Sequence, residues 1–224
     1  IGHSGYQLGN FPPPFLEWND RYRDDVRRFW RGDHDMIGRL ATRLAGSSDV
    51  FERAGNAASR SVSFVAAHDG MTLADICAFE RKHNEANGEK NRDGHGENLS
   101  WNNGAEGATA DPKILLSRVR DARALLATLF FSRGTVMLTA GDEFGRTQHG
   151  NNNAYAQDNA LTWLDWAGRD TELESYVVRL AALRREIAAF RDTAFLTGAP
   201  PSAGGQTDVR WLTETGEALV APDW

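Results

Sequence analysis

Residues 61–70 read SVSFVAAHDG, a short apolar run that ends in an imidazole, a carboxylate and a glycine. Bounded by polar residues and too short for a stable helix, 61–67 reads as a buried strand. TVMLTAGDE at 135–143 repeats the arrangement: a strand over 135–140 runs into Gly141, Asp142 and Glu143. Between the two, Asp111 and Pro112 supply an N-cap followed by proline at the first helical position, and 114–131 carries a long apolar helix. Strand, helix and strand in succession imply parallel pairing through a right-handed crossover.

The pattern extends outward on both sides. Trp18, Tyr22, Val26 and Phe29 or Trp30 recur at helical spacing after the triple proline of 12–14, predicting a helix over about 18–31. Thr72 and Asp75 form a Thr-x-x-Asp cap opening a helix through about 82. Thr171 and Glu174 read as a capping box ahead of a stripe of Leu173, Tyr176, Val177, Leu180, Leu183, Ile187 and Phe190. Buried strands on both sides of long helices favour a (β/α) barrel over an open doubly wound sheet, within the α/β class. The glycine-rich stretch at 198–206 reads as a linker, and 207–224 as the start of a β module with short strands at 208–212 and 218–221 around Thr215 and Gly216. The chain opens at Ile1 in what reads as the middle of a loop and stops at Trp224, as expected of a piece of a longer protein.

Composition narrows the function. The 224 residues carry 25 Lys+Arg against 31 Asp+Glu, a net charge of -6, which argues against phosphate-backbone binding as the main task. The arginines of 21–43 are balanced by Asp20, Asp24, Asp25, Asp33 and Asp35, a solvated helix face rather than a nucleic-acid patch. No apolar stretch approaches the roughly 18 residues of a membrane span. One cysteine, Cys77, excludes a disulfide framework and a cysteine zinc site and fits a reducing, cytoplasmic compartment. Seven Trp and 13 mostly clustered Asn suggest flat rings beside carboxamides, a surface suited to sugars, although Trp also fills cores.

In a (β/α) barrel the site lies at the carboxyl ends of the strands, so His68 and Asp69 share a rim with Asp142 and Glu143. Either Asp could instead cap loop or helix-start amides. The polar excursion 83–104 is longer than loops without a function usually are, and Trp101 among Asn98, Asn102 and Asn103 points to sugar contact. Glu89, Asn91, Asp93 and Gly94 mimic the first positions of a calcium loop, but Ser100 stands where a bidentate Glu is needed, so no metal is expected. His83 and His95 lack the spacing of a zinc pair. Asn151, Asn152, Asn153 and Tyr155 follow the second strand end on the same rim; three carboxamides suit sugar hydroxyls, and equally suit left-handed turns. Trp163 and Trp166 are expected to be buried against the helix beginning at 171, with stacking on sugar as the other reading. Nucleotide-binding glycine motifs, a nucleophile elbow and His-Glu-x-x-His are all missing.

Long strings of this sequence resemble the bacterial glycogen debranching enzymes of the isoamylase type, within the α-amylase family of glycoside hydrolases. They are GYQLGNFPPPFLEWNDRYRDDVRRFWRG at 5–32, SSDVF at 47–51, FVAAHDGMTL at 64–73, KHNEANGEKNRDG at 82–94, LSWNNGAEG at 99–107 and TAGDEFGRTQHGNNNAYAQDNALTWLDW at 139–166. The resemblance implies the second half of an eight-stranded (β/α) barrel over 1–197, followed by the start of a C-terminal β-sandwich. It implies retaining hydrolysis of α-1,6 branch linkages in glycogen or limit dextrin, without a cofactor. His68 and Asp69 match the family's His-Asp pair: Asp69 is expected to support the transition state and His68 to bind the sugar at the cleaved bond. Asn151, Asn152, Asn153, Tyr155 and Trp101 are expected to bind glucose units. The family's nucleophile and acid/base match nothing here and are expected upstream of Ile1. Leu99 and Asn103 depart from the family pattern, where an aromatic and a cysteine are usual. A non-catalytic α-glucan-binding protein, an isoamylase and a maltooligosyl trehalose hydrolase are the alternatives.

Overall fold

A computed structural model describes residues 5–52, 57–200 and 205–220. Its centre is a three-stranded, wholly parallel sheet in the order β1 (Glu17–Trp18), β2 (Ser61–Ser63), β3 (Thr135–Val136). Glu17 pairs with Ser61 and Trp18 with Val62, while Val62 pairs with Thr135 and Ser63 with Val136. The ladders are shorter than the apolar runs that produce them. Beyond them the two runs stay side by side, with the Met137 N–H on the Ser63 carbonyl at 2.9 Å and the Thr139 hydroxyl on the Ala66 carbonyl at 2.9 Å.

Helices α1 (Asp20–Arg31), α2 (Ile37–Leu44) and α3 (Ser48–Phe51) connect β1 to β2. Trp18 belongs to β1, not to the helix its spacing suggested. Asn19 is the N-cap, accepting from the Tyr22 N–H at 2.9 Å while its amide donates to the hydroxyls of Ser47 and Ser61, both at 2.9 Å. Gly32 closes α1 in the left-handed region at φ 92°, its N–H reaching the carbonyls of Arg28 and Phe29.

From β2 the chain passes through α4 (Leu73–Ile76) and α5 (Pro112–Phe130) to β3. The helix expected to run to 82 ends at Ile76. Backbone N–H groups of Trp101 and Gly107 take the carbonyls of Ile76 and Ala78, and the Asn103 amide takes that of Cys77, so tertiary partners replace the next helical turn. In α5 Asp111 caps Lys113 N–H at 2.8 Å, as the Asp-Pro pair predicts. Helix α6 (Thr171–Glu186) is capped by Asp170 rather than Thr171. The Asp170 carboxylate accepts from the N–H groups of Glu172 and Leu173, and Glu174 pairs with Arg169 at 3.2 Å instead of reaching back. Ile187 and Phe190 lie past its end, where Phe190 packs on Phe131 at 5.6 Å between ring centroids.

Tyr22 and Val26 of α1, Leu125, Leu126 and Leu129 of α5, and Leu173, Val177 and Leu180 of α6 form the core with Val65, Met71 and Ile76. Arg184 of α6 donates to the carbonyls of Phe130, Ser132 and Gly134, all at 2.6 Å, tying the end of α5 to the start of β3. Trp163 and Trp166 are not buried against α6: they are 62% and 58% exposed, Trp166 leaning on Phe144 and Trp163 bonded to Asp158. Near the far end, Leu212 and Ala218 form an antiparallel bridge around the expected turn. Residues 201–204 of the expected linker and 221–224 lie outside the described residues.

Candidate active site

The run 64–67 beyond β2 is buried, and it delivers His68 and Asp69, both exposed, beyond the carboxyl end of the sheet. Trp18, at the end of the neighbouring strand, meets the His68 ring edge-on at 5.7 Å between centroids and Phe64 at 5.8 Å. Trp18 and Phe64 border a groove of about 830 Å³ whose walls also include Tyr6, Phe11 and Phe15 and whose polar side carries Asp69 and His95. Apart from the buried Phe64, these aromatics are all at least half exposed, Trp18 at 50% and Phe15 at 60%. Aromatic faces opposite a carboxylate and an imidazole suit a ligand with apolar faces and hydroxyl edges.

Beside Asp69 lies a smaller cavity of about 110 Å³, shared with Arg23, Arg27, His95 and Asn98. Arg27 is buried and donates to the carbonyls of Val65 and Asn98, both at 2.8 Å, so one guanidinium joins the strand that carries Asp69 to the loop opposite. Burial, with Arg23 adding to it, pushes the Arg27 guanidinium down to about 9, while Asp24, Asp142 and Asp69 act in the opposite direction.

The second pair of rim carboxylates is structural. Asp142 is buried and accepts from the Leu73 N–H at 3.0 Å at the start of α4, and Glu143 accepts from the Gly141 N–H at 2.8 Å. Burial pushes the Asp142 carboxyl up to about 7, and its second oxygen is buried without a hydrogen-bond partner. Glu17, another carboxylate lining the groove, is buried against Arg60 at 2.6 Å and accepts from the Gly9 N–H at 2.6 Å.

The asparagines divide differently from the expected subsite. Asn151 and Asn152 are each 1% exposed. Asn151 donates to the Asn87 side chain, and Asn152 exchanges two hydrogen bonds with Asn84, at 2.8 and 3.0 Å. Asn153 donates to Asp93 at 2.8 Å. These carboxamides hold the 83–98 lobe together, which is the turn-and-scaffold reading of the motif; Asn151 and Asn152 as they stand offer no free face to a sugar, while Asn153 is half-buried. Asn91 and Asp93 of the calcium-like spacing are engaged in the same lobe, through Asn84, Lys82 and Asn87. Trp101 is half-buried against the core and donates to Asp121 at 2.8 Å, whereas Tyr155 is 88% exposed. Sequence reasoning missed Trp18, which it placed in a helix, and His95, which it weighed only as a zinc ligand. The Trp-Asn pair before an acidic helix start was the available signal for the first.

No protein-family model matches the chain. The chain resembles bacterial glycogen debranching enzymes over its whole length. The glycogen debranching enzyme of Salmonella gallinarum is 53% identical over 225 residues, which are 100% of this chain and 33% of that protein. A glycogen operon protein GlgX homolog of Mycobacterium tuberculosis is 48% identical over 227 residues, 100% of this chain and 32% of that protein. The chain thus spans about a third of the length of the curated relatives it matches. Among solved structures, the pullulanase from Bacillus acidopullulyticus superposes with a TM-score of 0.61 at 23% identity, over 80% of this chain and 20% of that one. A pullulanase variant from Paenibacillus barengoltzii, complexed with maltotriose, gives 0.60 at 26% identity, over 84% and 28%. The fold is therefore of the pullulanase type.

Proposed function

We propose that this chain forms part of an α-glucan debranching hydrolase that cleaves α-1,6 linkages in glycogen or limit dextrin. The observation that carries this reading is the exposed His68-Asp69 pair beyond a parallel strand, with Asp69 lining an aromatic groove and His68 against its Trp18, in a chain about half identical to glycogen debranching enzymes. The three parallel strands and their helices are the second half of a (β/α)8 barrel over 1–197, and the bridge at 212 and 218 opens a β-sandwich. Residues 198–206 join the two. A cytoplasmic setting accords with the buried free thiol of Cys77; among the described residues no helix is long and apolar enough to cross a membrane.

In this reading Asp69 accepts hydrogen bonds from sugar hydroxyls and its negative charge favours an oxocarbenium-like transition state. His68, held by its edge contact with Trp18, donates to the sugar at the cleaved bond. Exposed Tyr155 and the aromatic wall stack on neighbouring glucose units. Retaining hydrolysis needs a nucleophile and a proton donor about 5–5.5 Å apart. Glu17 and Asp142 are committed to buried partners, and the resemblance to debranching enzymes implies that those two groups are supplied by residues outside these 224. Arg27 fixes the Val65 carbonyl and hence the strand end on which Asp69 rides.

Incubating the full-length natural protein with branched limit dextrin, linear maltooligosaccharides and maltooligosyl trehalose tests the proposal. Reducing ends released from the branched substrate alone are the expected result. Retention on glycogen without any released ends would replace it with the glucan-binding reading, and trehalose as product with the trehalose-releasing one.

A further inference from the structure

We infer that His95 is a sugar-contacting side chain of the groove, and that Asn152 is the positioning residue that holds it there. The inference rests on the proposed α-glucan substrate. His95 lines both the large aromatic groove and the small cavity beside Asp69, so it stands where the two meet. It is exposed, and its position is set through its backbone: the Asn152 amide donates to the His95 carbonyl at 2.9 Å and to the Asn98 side chain at 2.7 Å.

Each of those anchors is itself fixed. Asn84 grips Asn152 from behind by two hydrogen bonds, and Arg27 takes the Asn98 carbonyl at 2.8 Å. Gly94, immediately before His95, has φ +70°, and a Cβ there would fall 2.2 Å from the Asn152 side-chain oxygen, so the loop closes on the amide with no room to spare. A buried, fully engaged carboxamide is rigid, and a rigid anchor on the His95 carbonyl itself fixes where that imidazole leaves the backbone. At the polar side of an otherwise aromatic groove, an imidazole supplies one donor and one acceptor, matching vicinal hydroxyls of a glucose unit.

The experiment uses full-length protein with limit dextrin turnover and affinity electrophoresis in glycogen gels. His95→Ala should raise KM, and the electrophoretic dissociation constant, about tenfold while kcat stays within about threefold, the size of one lost hydrogen bond to substrate. His95→Gln, which still donates and accepts, should recover most of that loss. Asn152→Ala should mimic His95→Ala, and the double variant should be no worse than the poorer single. Unchanged KM and glycogen affinity in His95→Ala would overturn the inference. Independent, multiplying effects in the double variant would reduce Asn152 to a purely structural residue. If the wild type releases no reducing ends, the debranching proposal fails, while the gel still reads the His95 contact.

Discussion

Asp142 is a buried carboxyl with one unpartnered oxygen, and its charge makes stability depend on pH. Burial raises it from 3.8 to about 7. Between those values the folded state holds a proton that the unfolded state has released, so stability falls as pH rises through the window and levels off above it. Each unit contributes about 1.4 kcal/mol, so the two units between pH 5 and the folded value remove about 3 kcal/mol. Asp142→Asn keeps an oxygen for the Leu73 N–H and removes the ionisation. The new amide N–H is unpaired, but so is the O–H of the protonated acid, so the two proteins should match only where the acid is protonated in both folded and unfolded states, and at pH 5 the variant should already be ahead by about 1.5 kcal/mol. At pH 8 that lead should have grown by about 3 kcal/mol, to about 4.5 kcal/mol. Urea midpoints by circular dichroism at the two pH values measure this. A gap between the proteins that does not widen from pH 5 to pH 8 would refute the buried-charge argument.

Arg60→Met leaves the Glu17 carboxylate buried without its 2.6 Å ion partner and should cost about 3–5 kcal/mol in urea unfolding, with Glu17→Gln in the same background restoring part of it. Trp18→Ala removes a half-exposed ring from the groove: thermal stability should change little, whereas mobility of the full-length protein in glycogen gels should rise toward that of a non-binding control.

Helix α5 was legible because its start is local chemistry: Asp111 and Pro112 cap it wherever the chain goes. The strand ends carrying His68, Asp69, Asp142 and Glu143 were legible for a similar reason, since short apolar runs ending in polar residues have few other homes. Errors arose where tertiary contacts overrode spacing. Trp18 fits a helical stripe with Tyr22 and Val26, yet Asn19 is held by Ser47 and Ser61 and starts the helix after it. The helix after Thr72 stops because a loop 25 residues downstream takes its carbonyls, as in the Trp101 N–H to Ile76 contact. For the site, residue type alone could not separate a sugar-binding asparagine from a scaffolding one. Asn151 and Asn152 have the right donors and acceptors, but Asn84, Asn87 and Asn98, more than fifty residues away in sequence, already occupy them. His95 was illegible because its place depends on those same distant amides.

Turnover of Asp69→Asn in the full-length protein on branched limit dextrin tests the central claim most directly, with glycogen-gel mobility and thermal melting read on the same sample. Replacing a transition-state carboxylate by a neutral isostere should lower kcat by about a hundredfold or more, with folding and glycogen retention intact. Near-wild-type turnover in a folded Asp69→Asn protein would contradict the assignment of this strand end as the catalytic rim.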